Sequence, residues 1–325
     1  MRYIIFSVVS LIILMSCVDS NKPKEKFLPD ASGAINNVSV VTENEIWDGR
    51  VGEAIRNVLA QPIYGLPQDE PTFTISQIPT AVFSGFVTKN RTVLKIETNK
   101  EAGIEILKDA YAKPQKVIVV SGKTKEEIIN VLNENESKII ETFRNEELTE
   151  RLRQMAKSPH KFSAIKEKFG LTIQFPSIYE VVKQTDNFFW FSKDITTGSL
   201  HLMLYELPYD AIKRNYSTVA QIIKIRDSIG EINVPGRIEG SYLITEKAYT
   251  PFHNNVIIDN KPTLETKGIW DLQGAFMAGP FINYAIEDKI NKRWVVVEGF
   301  AFAPSVEKRN YMLEVEAIIK SVKID

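Results

Sequence analysis

Apolar positions along the chain fall into two textures that change near Ser158. In the first, strand and helix periods alternate. Val38-Ser39-Val40-Val41 reads as a short strand. Asp48 is a helix-capping residue type, and after it Val51, Ala54, Ile55, Val58 and Leu59 recur on one face of a helix. Gln61-Pro62-Ile63-Tyr64-Gly65-Leu66-Pro67 ends that helix, because proline lacks the backbone donor and glycine favours turns. Phe73 and Ile75, then Val93 and Leu94 to Ile96, predict two more strands. Val117-Ile118-Val119-Val120 is a continuous β-branched run and reads as a buried strand. Thr124 and Glu127 then stand in capping-box spacing at the head of a long helix. Its face is Ile128, Leu132, Ile139, Phe143, Leu148, Leu152 and Met155.

Beyond Ser158-Pro159-His160 strands dominate. The clearest are Leu171-Ile173-Phe175, Phe188 to Phe191, Leu200-Leu202-Leu204, Tyr242-Ile244, Val256 to Ile258 and Trp294 to Phe302. One helix lies near Thr218 to Ile229. Another runs from about Ser305 to Val322, with Met312, Val315, Ile319 and Val322 on one face. The expected fold class is α+β: an N-terminal α/β sandwich-like layer over 37–157, then a mostly antiparallel sheet domain covered by helices over 158–325.

The start of the chain is of another kind. Met1-Arg2-Tyr3 precedes an apolar stretch from Ile4 to Met15, and Leu14-Met15-Ser16-Cys17 follows. This is the layout of a signal peptide over 1–16, with a core too short for a bilayer, which needs about 20 apolar residues. The ending resembles the lipobox of bacterial lipoproteins, which implies acylation of Cys17 and anchorage to a membrane through N-terminal lipid. Residues 17–36 are polar and read as a flexible tether. Only Asp19 is acidic before Lys22, Lys24 and Lys26, which favours a periplasm-facing protein, anchored in the outer membrane.

Composition narrows the options. Apolar residues at 44% and charged residues at 25% are those of a globular chain. The net charge of −1 gives no general attraction to nucleic acid. Cys17 is the single cysteine, and its acylation removes disulfides, thiolate catalysis and Cys-rich metal sites together.

Motif chemistry is sparse. Gly122-Lys123-Thr124 has the end of a P-loop, but the glycine required five positions earlier is Val117, so the segment reads as a helix start. Ser158-Pro159-His160-Lys161 and Ser163-Ala164-Ile165-Lys166 match S-x-x-K, without the S-D-N and K-T-G partners of penicillin-recognising enzymes. His160, His201 and His253 are the only histidines, and none pairs at metal-ligand spacing. His201 lies on the strand side opposite Leu200, Leu202 and Leu204, toward solvent or a groove. Phe188-Phe189-Trp190-Phe191 is dense in aromatics, with Trp47, Trp270 and Trp294 scattered elsewhere; core packing and a binding cluster are both open for it. No cofactor and no metal are expected.

Several stretches resemble a family of bacterial lipoproteins labelled domain of unknown function 4837. They include Trp47-Asp48-Gly49-Arg50-Val51-Gly52-Glu53-Ala54, Gly65-Leu66-Pro67-Gln68, Phe189-Trp190-Phe191-Ser192, Asn233-Val234-Pro235-Gly236 and Gly279-Pro280-Phe281, spread from about residue 37 to the end. The resemblance implies an envelope lipoprotein and brings no catalytic residues. In residues 160–325, a short helix, a strand ending in Phe175-Pro176, a sheet and a final helix closing at Val322 resemble PsbP-type extracytoplasmic domains, which implies a binding or assembly module.

The sequence therefore points to a lipid-anchored, periplasm-facing protein that binds or scaffolds an envelope partner. An envelope hydrolase acting on glycan or peptide and a small-ligand carrier are the alternatives. The candidate binding surfaces lie at the two ends of the first helix. Trp47 and Arg50 are at one end, and Tyr64 and Leu66 in the proline-rich loop Gln61–Pro71 are at the other, where the alternative is that Tyr64 and Leu66 pin the loop to the core.

Overall fold

A computed structural model describes residues 27–325. Cys17, the signal segment and the first part of the expected tether lie outside the described residues.

The first half builds a five-stranded sheet from β1 (Asn37–Val41), β2 (Thr74–Ile78), β3 (Thr92–Thr98), β4 (Gly103–Lys108) and β5 (Lys116–Gly122). The order is β2-β1-β3-β5-β4, parallel except for the β4 edge. Alternate residues Val38, Val40, Leu94, Ile96, Ile118 and Val120 face a helical layer of α2 (Arg50–Leu59), α3 (Lys125–Glu134) and α4 (Glu136–Met155). Thr124 accepts from Glu127 N at 3.2 Å as in a capping box, while the Glu127 carboxylate reaches one residue further back and accepts from Lys123 N at 2.7 Å.

Two local expectations change. Asp48 does not cap α2. It closes a single helical turn, α1 (Asn44–Trp47), and Gly49 precedes α2 instead. The long helix divides at Asn135, whose side chain donates to Val131 O at 2.8 Å and competes with the helix ladder.

The tether also ends earlier than Asn36. Ala31 N donates to Lys113 O at 3.0 Å, Ser32 N to Lys89 O at 2.8 Å, and Arg91 N to Ser32 O at 2.8 Å. These bonds lay the segment along the first sheet, and polar composition alone does not reveal such pairing.

The second half opens with α5 (Ala164–Phe169) and β6 (Leu171–Thr172), a strand shorter than the Leu171–Phe175 pattern predicts, since only two residues pair with β15 (Lys323–Ile324). Its main sheet is antiparallel, in the order β10-β12-β13-β14-β9-β8-β7, with β11 (Phe252–Ile258) paired to β12. The strands are β7 (Glu180–Gln184), β8 (Phe188–Ile195), β9 (Gly198–Pro208), β10 (Tyr242–Thr245), β12 (Lys261–Gln273), β13 (Ala275–Asp288) and β14 (Arg293–Phe302). One face packs on α7 (Arg309–Lys320) together with α5 and the end of α4; the other packs on α6 (Thr218–Asn233). Both faces being covered explains the aromatic run: Phe189 and Phe191 enter the α7 side, while Phe188 and Trp190 enter the α6 side. The chain is thus α+β, with an antiparallel sheet domain between helices, and the expected PsbP-type order of short helix, sheet and closing helix is present.

Within the first half, Arg91, 4% exposed, donates to both oxygens of fully buried Glu147, at 3.1 and 2.9 Å, and Glu147 also accepts from Asn36 N at 2.8 Å, which ties α4 to its own sheet. The two sheets share no strand, yet the halves are bolted together. Across the α4–α7 contact, Arg144 pairs with Glu316 and Arg151 with Glu314. Glu70, 4% exposed, accepts from Lys308 N at 2.8 and 2.9 Å and from Arg309 N at 2.8 Å, which caps α7 from the first half of the chain.

Candidate functional site

The structure separates the four residues singled out by sequence. Arg50 is exposed and pairs with Glu126 at 2.9 Å, a solvent-facing ion pair. Trp47 is half-buried, with the Arg56 guanidinium 4.8 Å above its ring. Tyr64 is 63% exposed but stacks on Phe252 of β11 at 4.4 Å. Leu66 is not on an accessible surface: at 7% exposure it belongs to the core beneath α7. The loop Gln61–Pro71 folds back because Gly65, at φ +87°, lets the backbone press against Lys267, where a Cβ would approach to 2.8 Å. It is a bridge between the halves, and Leu66 is its apolar pin.

The S-x-x-K serines form no catalytic pair. Ser158 bonds Ser177 at 2.8 Å, and Lys161 and Lys166 are exposed.

A different site emerges where α6 ends. Gly230 allows α6 to lie on β10, where a Cβ would come within 2.1 Å of Leu243 O. The chain from Val234 to Gly236 then runs antiparallel beside β10, with Leu243 N donating to Val234 O at 3.1 Å and Gly236 N to Ser241 O at 2.8 Å. Against this segment lies a cavity of about 220 Å³. Trp190 and His201 form its floor with Phe300; Trp270, Phe302 and Met277 form its walls. Phe300 stacks on the His201 ring at 4.4 Å, and Trp270 meets Phe300 edge-on at 5.6 Å. The groove expected for His201 is therefore present.

Hydrogen bonds fix the chemistry of this floor. The Trp190 indole N–H, which can only donate, points at His201 Nδ1 at 3.2 Å, so Nδ1 carries no hydrogen. Nε2 then bears the proton and donates to Ser199 Oγ at 2.8 Å. Burial pushes the imidazole down to about 4, so it is neutral at physiological pH. A serine nucleophile needs the reverse polarity, with the imidazole accepting the hydroxyl proton. The Ser199–His201 pair is therefore held in the wrong tautomer for acyl transfer. The second indole is satisfied as well, since Trp270 Nε1 donates to Ala301 O at 3.0 Å.

Sequence inspection named Trp190, His201 and Trp270 individually but not their convergence, which is made by strand pairing. Trp190 sits opposite Met203 in the β8–β9 register, and His201 opposite Phe300 in β9–β14. Among the described residues, no helix is long and apolar enough to cross a membrane, and no three His, Cys, Asp or Glu side chains gather as a metal site.

No curated protein matches the chain in sequence. Among solved structures, the Ran-binding protein Mog1p of Saccharomyces cerevisiae aligns over 47% of this chain and 89% of its own, at 8% identity and a TM-score of 0.32. LpqN of Mycobacterium tuberculosis, described as involved in cell envelope biogenesis, aligns over 47% of this chain and 82% of its own, at 10% identity and a TM-score of 0.29. Neither likeness is close enough to bear on function. Residues 31–156 match the family model described as domain of unknown function DUF8532. The resemblance read across residues 37–325 is thus divided between two models at the junction of the two sheets. The model described as domain of unknown function DUF4837 matches residues 158–321, half of the chain, and the protein belongs to that family.

Proposed function

We propose that this is a non-enzymatic binding protein of the cell envelope, held to the membrane by lipid on Cys17 and facing the periplasm. Its second domain grips an apolar group in the cleft beneath Val234–Arg237. The observation that carries the binding role is the cavity of about 220 Å³ walled by two tryptophans and two phenylalanines. Ligand sites of this kind are concave and mostly apolar, with a few placed polar groups. A cavity of roughly 150 Å³ already holds benzene, so one ring or short chain fits here. The envelope location rests on the Leu14-Met15-Ser16-Cys17 sequence.

The hydrolase alternative is disfavoured by the orientation of His201, and two of the close carboxylate pairs are tied to arginines: Glu147 and Glu150 to Arg91, and Glu206 and Asp288 to Arg293.

Two measurements test the proposal. Cys17→Ser should abolish palmitate labelling, and equal labelling of the variant overturns the anchor. Calorimetric titration of the full chain with indole should give saturable binding that Met277→Trp abolishes by filling the cavity from its rim. Binding unchanged in Met277→Trp, or no binding to either protein, refutes the cleft as the binding site.

A further inference from the structure

The lining of the cleft also restricts what can occupy it. Both indole N–H groups and the His201 Nε2–H are spent on internal partners, which leaves the Ser199 hydroxyl proton as the free donor on the floor. A sugar ring buried there would lose water from several hydroxyls and regain few hydrogen bonds, and each unpaired group carries an uncompensated desolvation cost. An apolar body suffers no such penalty.

Charge decides the rest. Among the lining residues Arg237 is the single ionised side chain, and His201 is neutral. Arg237 is exposed and makes no ion pair or hydrogen bond with any described residue, whereas Arg91, Arg144, Arg151, Arg226, Arg293 and Arg309 are all paired. A guanidinium left free at the edge of an apolar cavity attracts an anion and repels a cation.

We infer that the cleft takes a compact organic acid, with an aryl or short acyl body in the aromatic cavity and its carboxylate at Arg237. This rests on the cleft being the binding site, and it adds the class of ligand. A charge-assisted contact at an exposed guanidinium is worth about one factor of ten in affinity.

The test compares indole-3-acetate, indole-3-ethanol and tryptamine on the full chain at low salt. The acid should bind about tenfold tighter than the alcohol, and the amine weakest. Arg237→Ala should bring acid and alcohol together, and Arg237→Glu should favour the amine; thermal midpoints should not move, because the side chain has no structural partner. Equal affinity for acid and alcohol in the unaltered protein, or a preference that survives Arg237→Ala, overturns the inference. If indole still binds and Met277→Trp still blocks it, that result leaves the cleft as the binding site and removes only the acid. If neither indole nor the acid binds, both fall.

Discussion

Glu70→Ala removes the cap that the first half of the chain supplies to the last helix. Its carboxylate makes three contacts of 2.8–2.9 Å with two backbone N–H groups, Lys308 N and Arg309 N. Lys308 itself offers no side-chain cap to α7, so the substitution leaves both donors without a protein partner. Each lost charge-assisted bond costs on the order of 1 kcal/mol once water enters the gap, and losing the negative charge beside the helix N-terminus adds about 1 kcal/mol. The sum is about 3 kcal/mol. At about 2–4 °C per kcal/mol for units of 150–250 residues, the melting midpoint should fall by roughly 6–12 °C. Scanning calorimetry of the full chain is the assay, with Glu70→Gln as a partner that keeps one acceptor and should lose about half as much. A midpoint within about 2 °C of the parent for Glu70→Ala would show that water replaces the carboxylate fully and that the halves do not depend on this contact.

The proline-rich loop gives a related contrast. Leu66→Ala should cost about 2–3 kcal/mol in denaturant unfolding, because the side chain is buried, whereas Tyr64→Ala should cost about 1 kcal/mol through its stacking on Phe252. Equal small losses would return both residues to the surface. For His201, proton NMR should show an imidazole that titrates near 4 and not near 6.5. Its pKa is lower folded than unfolded, so its contribution to stability is complete above about pH 6.5 and disappears as the pH falls toward 4. His201→Gln should flatten stability across that window, and an unchanged pH profile would refute the assignment.

How much of this was legible depends on how far apart the partners lie. The Val117–Val120 run and the Thr124–Glu127 box are local signals, and they appear in place as β5 and the cap of α3. The apolar face read for α4 is buried at Ile139, Phe143, Leu148 and Met155, but Glu146, Glu147 and Glu150 are buried as well. No helical period anticipates that, because Glu147 and Glu150 are carried by Arg91, more than 50 residues away. The cleft was hidden for the same reason. Alternation placed His201 away from the leucine face correctly, but Trp190, Trp270 and Phe300 reach it through register across five strands. For Leu66 the sequence left surface and core pin both open, because a turn-rich, polar loop resembles a free surface and the sheet that covers it lies about 200 residues further along; its burial selects the pin.

The Glu70 cap also bears on the order in which the chain can mature. Glu70 and Lys308 are 238 positions apart, so during synthesis the first sheet emerges well before the helix that completes its loop. Until α7 arrives, Glu70 and Leu66 lack their partners, and the α4 face carrying Arg144 and Arg151 is uncovered. Closing so long a loop is entropically slow, and apolar surface stays open meanwhile. The first half would thus pass through an interval in which it is folded but unsealed, and in which a chaperone or protease can still reach it.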